Sequence, residues 1–255
     1  MAAFRGERGP GRDCRRYPIH RLVLWNIDQT LVDVTRVIRP AYAEAFKKVT
    51  GRPLIQLPQM VGVSETEIFF DALGRNGVSL REGEGAEELL EPFNAQYAVS
   101  LAARRDELTV NGAAMPGVTE ALRLLASERS VVQSVLTGSS RPNALLKLRA
   151  FGLDKYLDLT IAGFAGSSPY PKGALLSATR LKAQEKYNAS YPDKATVYIA
   201  DAVRDIEAAK IAGAASVGVV GGRASVAELR EAGADLVLRS LHKLPELIQF
   251  LTAPA

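Results

Sequence analysis

Short apolar runs rich in β-branched residues recur along this chain, and most are followed by a longer stretch with helical spacing. The runs fall at 21–26 (RLVLWN), 131–136 (VVQSVL), 159–162, 196–200 (TVYIA), 216–220 (SVGVV) and 235–238. They do not alternate apolar with polar residues, as half-exposed strands do. Continuous apolar strands belong in a parallel sheet buried between helical layers. Helical spacing fits 118–127, 142–150, 174–187, 204–212 and 225–232. This alternation predicts an α/β fold with a doubly wound parallel sheet.

One segment breaks the rhythm. Between the first strand and Pro116, helical signals dominate and no convincing strand is legible. Pro40 stands near the start of one helix running through Val49, with Gly51 after its end. Ser64 and Glu67 form a capping-box pattern ahead of a second helix reaching about Arg75. A third spans 86 to about 105. A small helical cap inserted after the first strand, over the strand ends, is the expected arrangement. The predicted organisation is a disordered basic tail at 1–18, a core made of 19–33 and 114–255, and a cap at 34–113.

The net charge of +4 falls on residues 1–21. Residues 1–21 hold six arginines against Glu7 and Asp13, leaving 26 basic and 26 acidic residues elsewhere. A Gly- and Arg-rich tail without interleaved aromatics reads as a solvated extension, and nucleic-acid binding through it is the weaker alternative. No apolar run approaches the length of a membrane helix. The lone cysteine, Cys14, cannot form an internal disulfide, which suits a reducing cytoplasm.

In an open parallel sheet, ligands bind beyond the carboxyl ends of the strands. The first strand ends in Asn26-Ile27-Asp28-Gln29-Thr30-Leu31, and the second in Leu136-Thr137-Gly138-Ser139. Lys172 opens a helix after the third, and the fourth ends in Ala200-Asp201-Ala202-Val203-Arg204-Asp205. Four distant segments therefore bring carboxylates, a hydroxyl and an ammonium to one edge. Hard oxygens suit Mg²⁺; Thr137, the neighbouring amides and a lysine suit phosphate oxygens.

The order N-I-D-x-T-L, hydrophobic-T-G, Lys and D-x-x-x-D resembles the four motifs of haloacid dehalogenase-like (HAD) phosphatases. Met115-Pro116-Gly117-Val118 looks like the return from an α-helical cap of the phosphoglycolate-phosphatase type. The resemblance implies a HAD-like Rossmannoid core and Mg²⁺-dependent hydrolysis of a small phosphorylated metabolite. In such enzymes an Asp at the position of Asn26 attacks phosphorus, and the acid at Asp28 serves as proton donor and then base. Asp28 also offers its backbone carbonyl to Mg²⁺. By position, Thr137, Gly138 and Lys172 bind phosphate, Thr137 and Lys172 join the catalytic set, and Asn26, Asp28, Asp201 and Asp205 surround the metal. Asp205 is placed to hold either metal or Lys172. Lys147 and Lys155 remain alternatives to Lys172. The second acid in the first motif implies a phosphatase rather than a dehalogenase.

Three positions depart from the pattern. Asn26 replaces an anionic nucleophile with a neutral carboxamide, which cannot form a normal acyl phosphate. Ala200 puts a methyl where the pattern has glycine, with crowding of the metal site expected, and Ala202 removes a hydroxyl able to cap the next helix. The expectation is low or no phosphatase turnover, the alternative being a catalytically silent phosphate-binding or regulatory protein. With His20 and His242 as the only histidines, no histidine-centred metal site or triad is supported. Gly218, Gly221 and Gly222 do not spell a dinucleotide loop and read as turn residues.

Overall fold

The computed structural model describes residues 21–78, 85–165 and 171–253. The tail at 1–18, with Cys14, and His20 lie outside the described residues. Six parallel strands form the main sheet: β1 (Arg21–Trp25), β4 (Val131–Thr137), β5 (Gly163–Phe164), β6 (Thr196–Ala200), β7 (Ala215–Val219) and β8 (Leu236–Leu238). They lie in the order β5-β4-β1-β6-β7-β8, and every pairing is parallel. β1, β4, β6 and β7 are buried at every residue. Helices cover both faces, so every residue of these central strands has to be accommodated in a core.

Two apolar clusters flank the sheet. One contains Val23, Trp25, Val135 and Val197; the other contains Leu22, Leu24, Leu136 and Tyr198. Alternate residues of each strand thus serve opposite layers, which explains the absence of polar alternation. The polar residues in these strands are satisfied internally. Trp25 Nε1 donates to Gln133 Oε1 at 3.1 Å, Gln133 Nε2 to the Leu122 carbonyl at 3.0 Å, and Ser134 Oγ to the Asp158 carbonyl at 2.7 Å.

The third strand lies later than 159–162. The Asp158 carboxylate accepts from both the backbone N–H and the hydroxyl of Thr160. This local turn holds 158–161 out of the sheet, and pairing with β4 begins at Gly163.

The segment before Pro116 does contain strands. β2 (Val32–Asp33) and β3 (Ala113–Ala114) pair antiparallel and join the helical insert to the core. At two residues each, they are too short for periodicity to reveal. Between them lie α1 (Thr35–Thr50), α2 (Glu65–Arg75), α3 (Leu90–Ala102) and α4 (Glu107–Asn111), with a 3₁₀ turn at Ala86–Leu89. Pro40 lies inside α1 rather than near its start. Asp33 accepts the Thr35 backbone N–H at 3.0 Å and so starts the helix earlier. Its helix end at Gly51 takes the left-handed conformation, φ 70°. Tyr42, Phe46, Phe69, Phe93 and Tyr97 form an aromatic cluster in the insert, with the Phe69 and Phe93 rings stacked 4.3 Å apart.

The remaining helices are α5 (Val118–Ser127), α6 (Arg141–Ala150), α7 (Lys172–Tyr187), α8 (Val203–Ile211), α9 (Val226–Glu231) and α10 (Leu244–Thr252). Among the described residues no helix is long and apolar enough to cross a membrane.

Candidate active site

The register brings the site together. Trp25 sits opposite Val135 of β4 and Ile199 of β6, and the Asn26 N–H donates to the Ile199 carbonyl at 2.9 Å. The chain leaving β1 therefore emerges between the ends of β4 and β6. Gln29 then takes a left-handed backbone conformation at φ 62°. Asn26, Asp28, Gly138, Lys147, Lys172 and Asp201 line one cavity of about 700 Å³, and Arg39 and Glu65 of the insert line it as well.

Asn26 is buried, and its Nδ2 donates to the Asp28 carbonyl and to Asp201 Oδ1, each at 3.1 Å. Both partners only accept, so hydrogen bonding fixes which end of the amide faces them. The Thr30 hydroxyl donates to the same Asp201 oxygen at 2.9 Å. Asp201 Oδ2 is buried without a partner. Burial, and then the charge of Asp205, lift the Asp201 carboxyl to about 6, against the pull of the Thr30 and Asn26 hydrogen bonds. Asp205 is fully buried. One of its oxygens holds Lys172 Nζ at 2.5 Å, and the other has no partner.

A second ammonium reaches the same cavity. Buried Lys147 on α6 donates to both oxygens of Asp28 at 2.8 Å and to Ser139 Oγ at 2.9 Å. The alternative left open between lysines thus resolves spatially into two: Lys172 beside Asp205 and Lys147 beside Asp28. Lys155 lies over the Tyr156 ring, 5.0 Å from its centre, and does not line the cavity.

Thr137 sits behind the wall. It is fully buried, does not line the cavity, and its hydroxyl accepts the Ser139 N–H at 3.2 Å, ordering the loop whose Gly138 and Ser139 face inward. Ala200 packs its methyl into the second apolar cluster, so the expected crowding of the metal site does not occur. Ala202 stands at the start of α8 with no side-chain cap, as its missing hydroxyl implies. Gly221 and Gly222 are more than turn residues. A Cβ at Gly221 would lie 2.2 Å from the Gln29 carbonyl oxygen, and one at Gly222 would lie 2.0 Å from Asp201 Oδ2. Both positions need glycine because the backbone passes so close to the site.

The buried, unpartnered oxygen of Asp201, the Asp28 carbonyl and the Asn26 side-chain oxygen are hard ligands of the kind Mg²⁺ takes. They fit the ion once the Asn26 amide turns its oxygen toward the other two, with one negative charge fewer than an acid at position 26 supplies. Among the described residues no trio of His, Cys, Asp or Glu converges to hold a metal. The Asn26 amide nitrogen also engages one of these oxygens, the Asp28 carbonyl, along with the other oxygen of Asp201.

Known proteins resemble this chain in sequence and fold. A probable phosphatase, IndB, from Dickeya dadantii (strain 3937) is 30% identical over 223 residues, covering 85% of this chain and 88% of that protein. A hydrolase from Pseudomonas syringae superposes with a TM-score of 0.67 at 22% identity, over 92% of this chain and 100% of that one. A crystal structure described as a predicted phosphoglycolate phosphatase, from Haemophilus somnus 129PT, gives 0.64 at 20% identity, over 90% and 98%. Residues 23–210 match the haloacid dehalogenase-like hydrolases as a family. The chain belongs to that family.

Proposed function

We propose that this chain offers a HAD-type site for a small phosphate monoester, supported by Mg²⁺, in which Asn26 reduces hydrolysis to a low level or abolishes it. The carrying observation is the carboxamide itself. At the position of nucleophilic attack, Asn26 spends its nitrogen on the Asp28 carbonyl and on Asp201. An uncharged amide oxygen is a poor nucleophile toward phosphorus. The resemblance to a probable phosphatase supports the phosphatase-like frame.

The roles follow from position. Gly138, on the loop Thr137 orders, presents backbone to an oxyanion, and Lys172 supplies positive charge while Asp205 holds it in place. Asp201, the Asp28 carbonyl and the Asn26 oxygen are the ligands assigned to Mg²⁺, which when bound neutralises phosphate charge. Asp28, held by Lys147, is the remaining carboxylate able to accept a proton from water. The helices of residues 34–113 serve as the cap, and the lone cysteine favours a cytoplasmic setting. A catalytically silent binding or regulatory protein is the second reading, and the same amide favours it.

The native chain with Mg²⁺ is expected to bind vanadate while hydrolysing an aryl phosphate at close to the buffer rate. Robust native turnover would overturn the proposal.

A further inference from the structure

The capping box of α2 explains Ser64 and Glu67, whose side chains close on each other's backbone N–H groups. It does not explain Glu65 between them. Glu65 is only 5% exposed, although it opens a helix at the rim of a cavity. A buried carboxyl has to find hydrogen-bond donors, and these come from the core rather than from its own helix. The Ser140 N–H donates to Oε2 at 2.9 Å, and Asn143 Nδ2 lies 3.2 and 3.0 Å from the two oxygens.

Ser140 is the residue at which α6 begins, and its own side chain makes no capping bond. Glu65 therefore caps α6 from another part of the chain, an acid at the positive end of a ten-residue helix. The backbones also touch. The Glu65 N–H donates to the Gly138 carbonyl at 2.9 Å. A Cβ at Gly138 would lie 2.3 Å from the Val63 carbonyl oxygen.

Asn143 and Lys147 are four residues apart on α6 and so share a face. The first grips Glu65 and the second grips Asp28. Lys147 also attracts Glu65 electrostatically, while burial outweighs that pull and raises the Glu65 carboxyl above its ordinary value. Tyr42 of α1 and Tyr97 of α3 face the same carboxyl. Each phenol is raised first by burial and then by the charge of Glu65.

We propose that Glu65 is a positioning residue for the phosphate site: it fixes the start of α6 and, through Asn143 and Lys147, sets the ammonium that holds Asp28. This rests on the phosphate-site reading above and extends it to a residue of the insert.

Lysine labelling followed by mass spectrometry tests the idea on the full chain, with vanadate and Mg²⁺ as the binding probe. In Glu65→Ala, Lys147 is expected to label at least about tenfold faster and vanadate to bind at least about tenfold more weakly, with amide protection of β6 unchanged. Glu65→Gln, which keeps an oxygen for the Ser140 N–H, is expected to recover most of both. Asn143→Ala cuts the same bonds from the core side and is expected to accelerate Lys147 labelling as well.

Unchanged Lys147 labelling in both Glu65→Ala and Asn143→Ala would overturn the proposal. So would acceleration that comes only with loss of β6 protection, since that signals general unfolding. If the native chain binds no vanadate, the phosphate-site reading fails, and the labelling rates still decide the role of Glu65.

Discussion

Asn26→Asp is expected to raise Mg²⁺-dependent hydrolysis of a generic aryl phosphate at least about a hundredfold over the native chain, or about 2.7 kcal/mol of barrier at 1.36 kcal/mol per tenfold. The substitution supplies an anionic oxygen at the point of attack. It also removes the amide hydrogens that now engage the Asp28 carbonyl and Asp201. In their place stands a second acid beside Asp201, an arrangement that a divalent cation stabilises. Tighter Mg²⁺ binding should therefore accompany the gain. Removing a nucleophile can cost roughly a millionfold, and a smaller gain is expected here because Asp28 is held by Lys147 and Ala202 leaves the start of α8 without a side-chain cap. Assays of both proteins across Mg²⁺ concentrations read this directly. Equal rates would mean that the residue at position 26 does not limit turnover.

Asp201→Asn is expected to stabilise the metal-free protein at alkaline pH while weakening Mg²⁺ binding. The native carboxyl is lifted from an ordinary 3.8 to about 6 by burial and by Asp205. Folding therefore favours its protonated form. The stability linked to that proton is fully present below about pH 4 and is lost as pH rises through about 6. A shift of about two units corresponds to on the order of 3 kcal/mol at pH 8. Denaturant unfolding in a chelating buffer at pH 4 and pH 8 gives the measurement. The variant should gain at pH 8 and little at pH 4, whereas added Mg²⁺ should stabilise the native chain more than the variant. No difference at pH 8 would show that the buried acid carries no such penalty.

The parts of this fold legible in the sequence are those whose physics is local. β1, β4, β6 and β7 announce themselves through mostly apolar runs without polar alternation, because two helical layers bury both of their faces. The resemblance places Asp205 to hold either a metal or Lys172, and Asp205 meets Lys172 at 2.5 Å. Elsewhere the deciding contacts were either too short or too distant. The β2–β3 ribbon has two residues per strand and no period to detect. The third strand was displaced by a side-chain turn at Asp158 and Thr160 that outcompetes an apolar run. Lys147 could be named but not chosen, since its partner Asp28 lies 119 residues away. Glu65 was hidden inside a capping box whose logic was complete without it. Gly221 and Gly222 looked like ordinary turn glycines because nothing in a sequence reveals which backbone passes next to them.

The central claim is that segments ending β1, β4 and β6, with the start of α7, form one pocket for a cation and an oxyanion. A crystal of the native chain soaked with Mg²⁺ and vanadate tests it most directly. The expected result is vanadate seated between the Gly138 backbone and Lys172, with the cation against Asp201 and the Asp28 carbonyl. Vanadate bound elsewhere, or a cation away from Asp201, would contradict it.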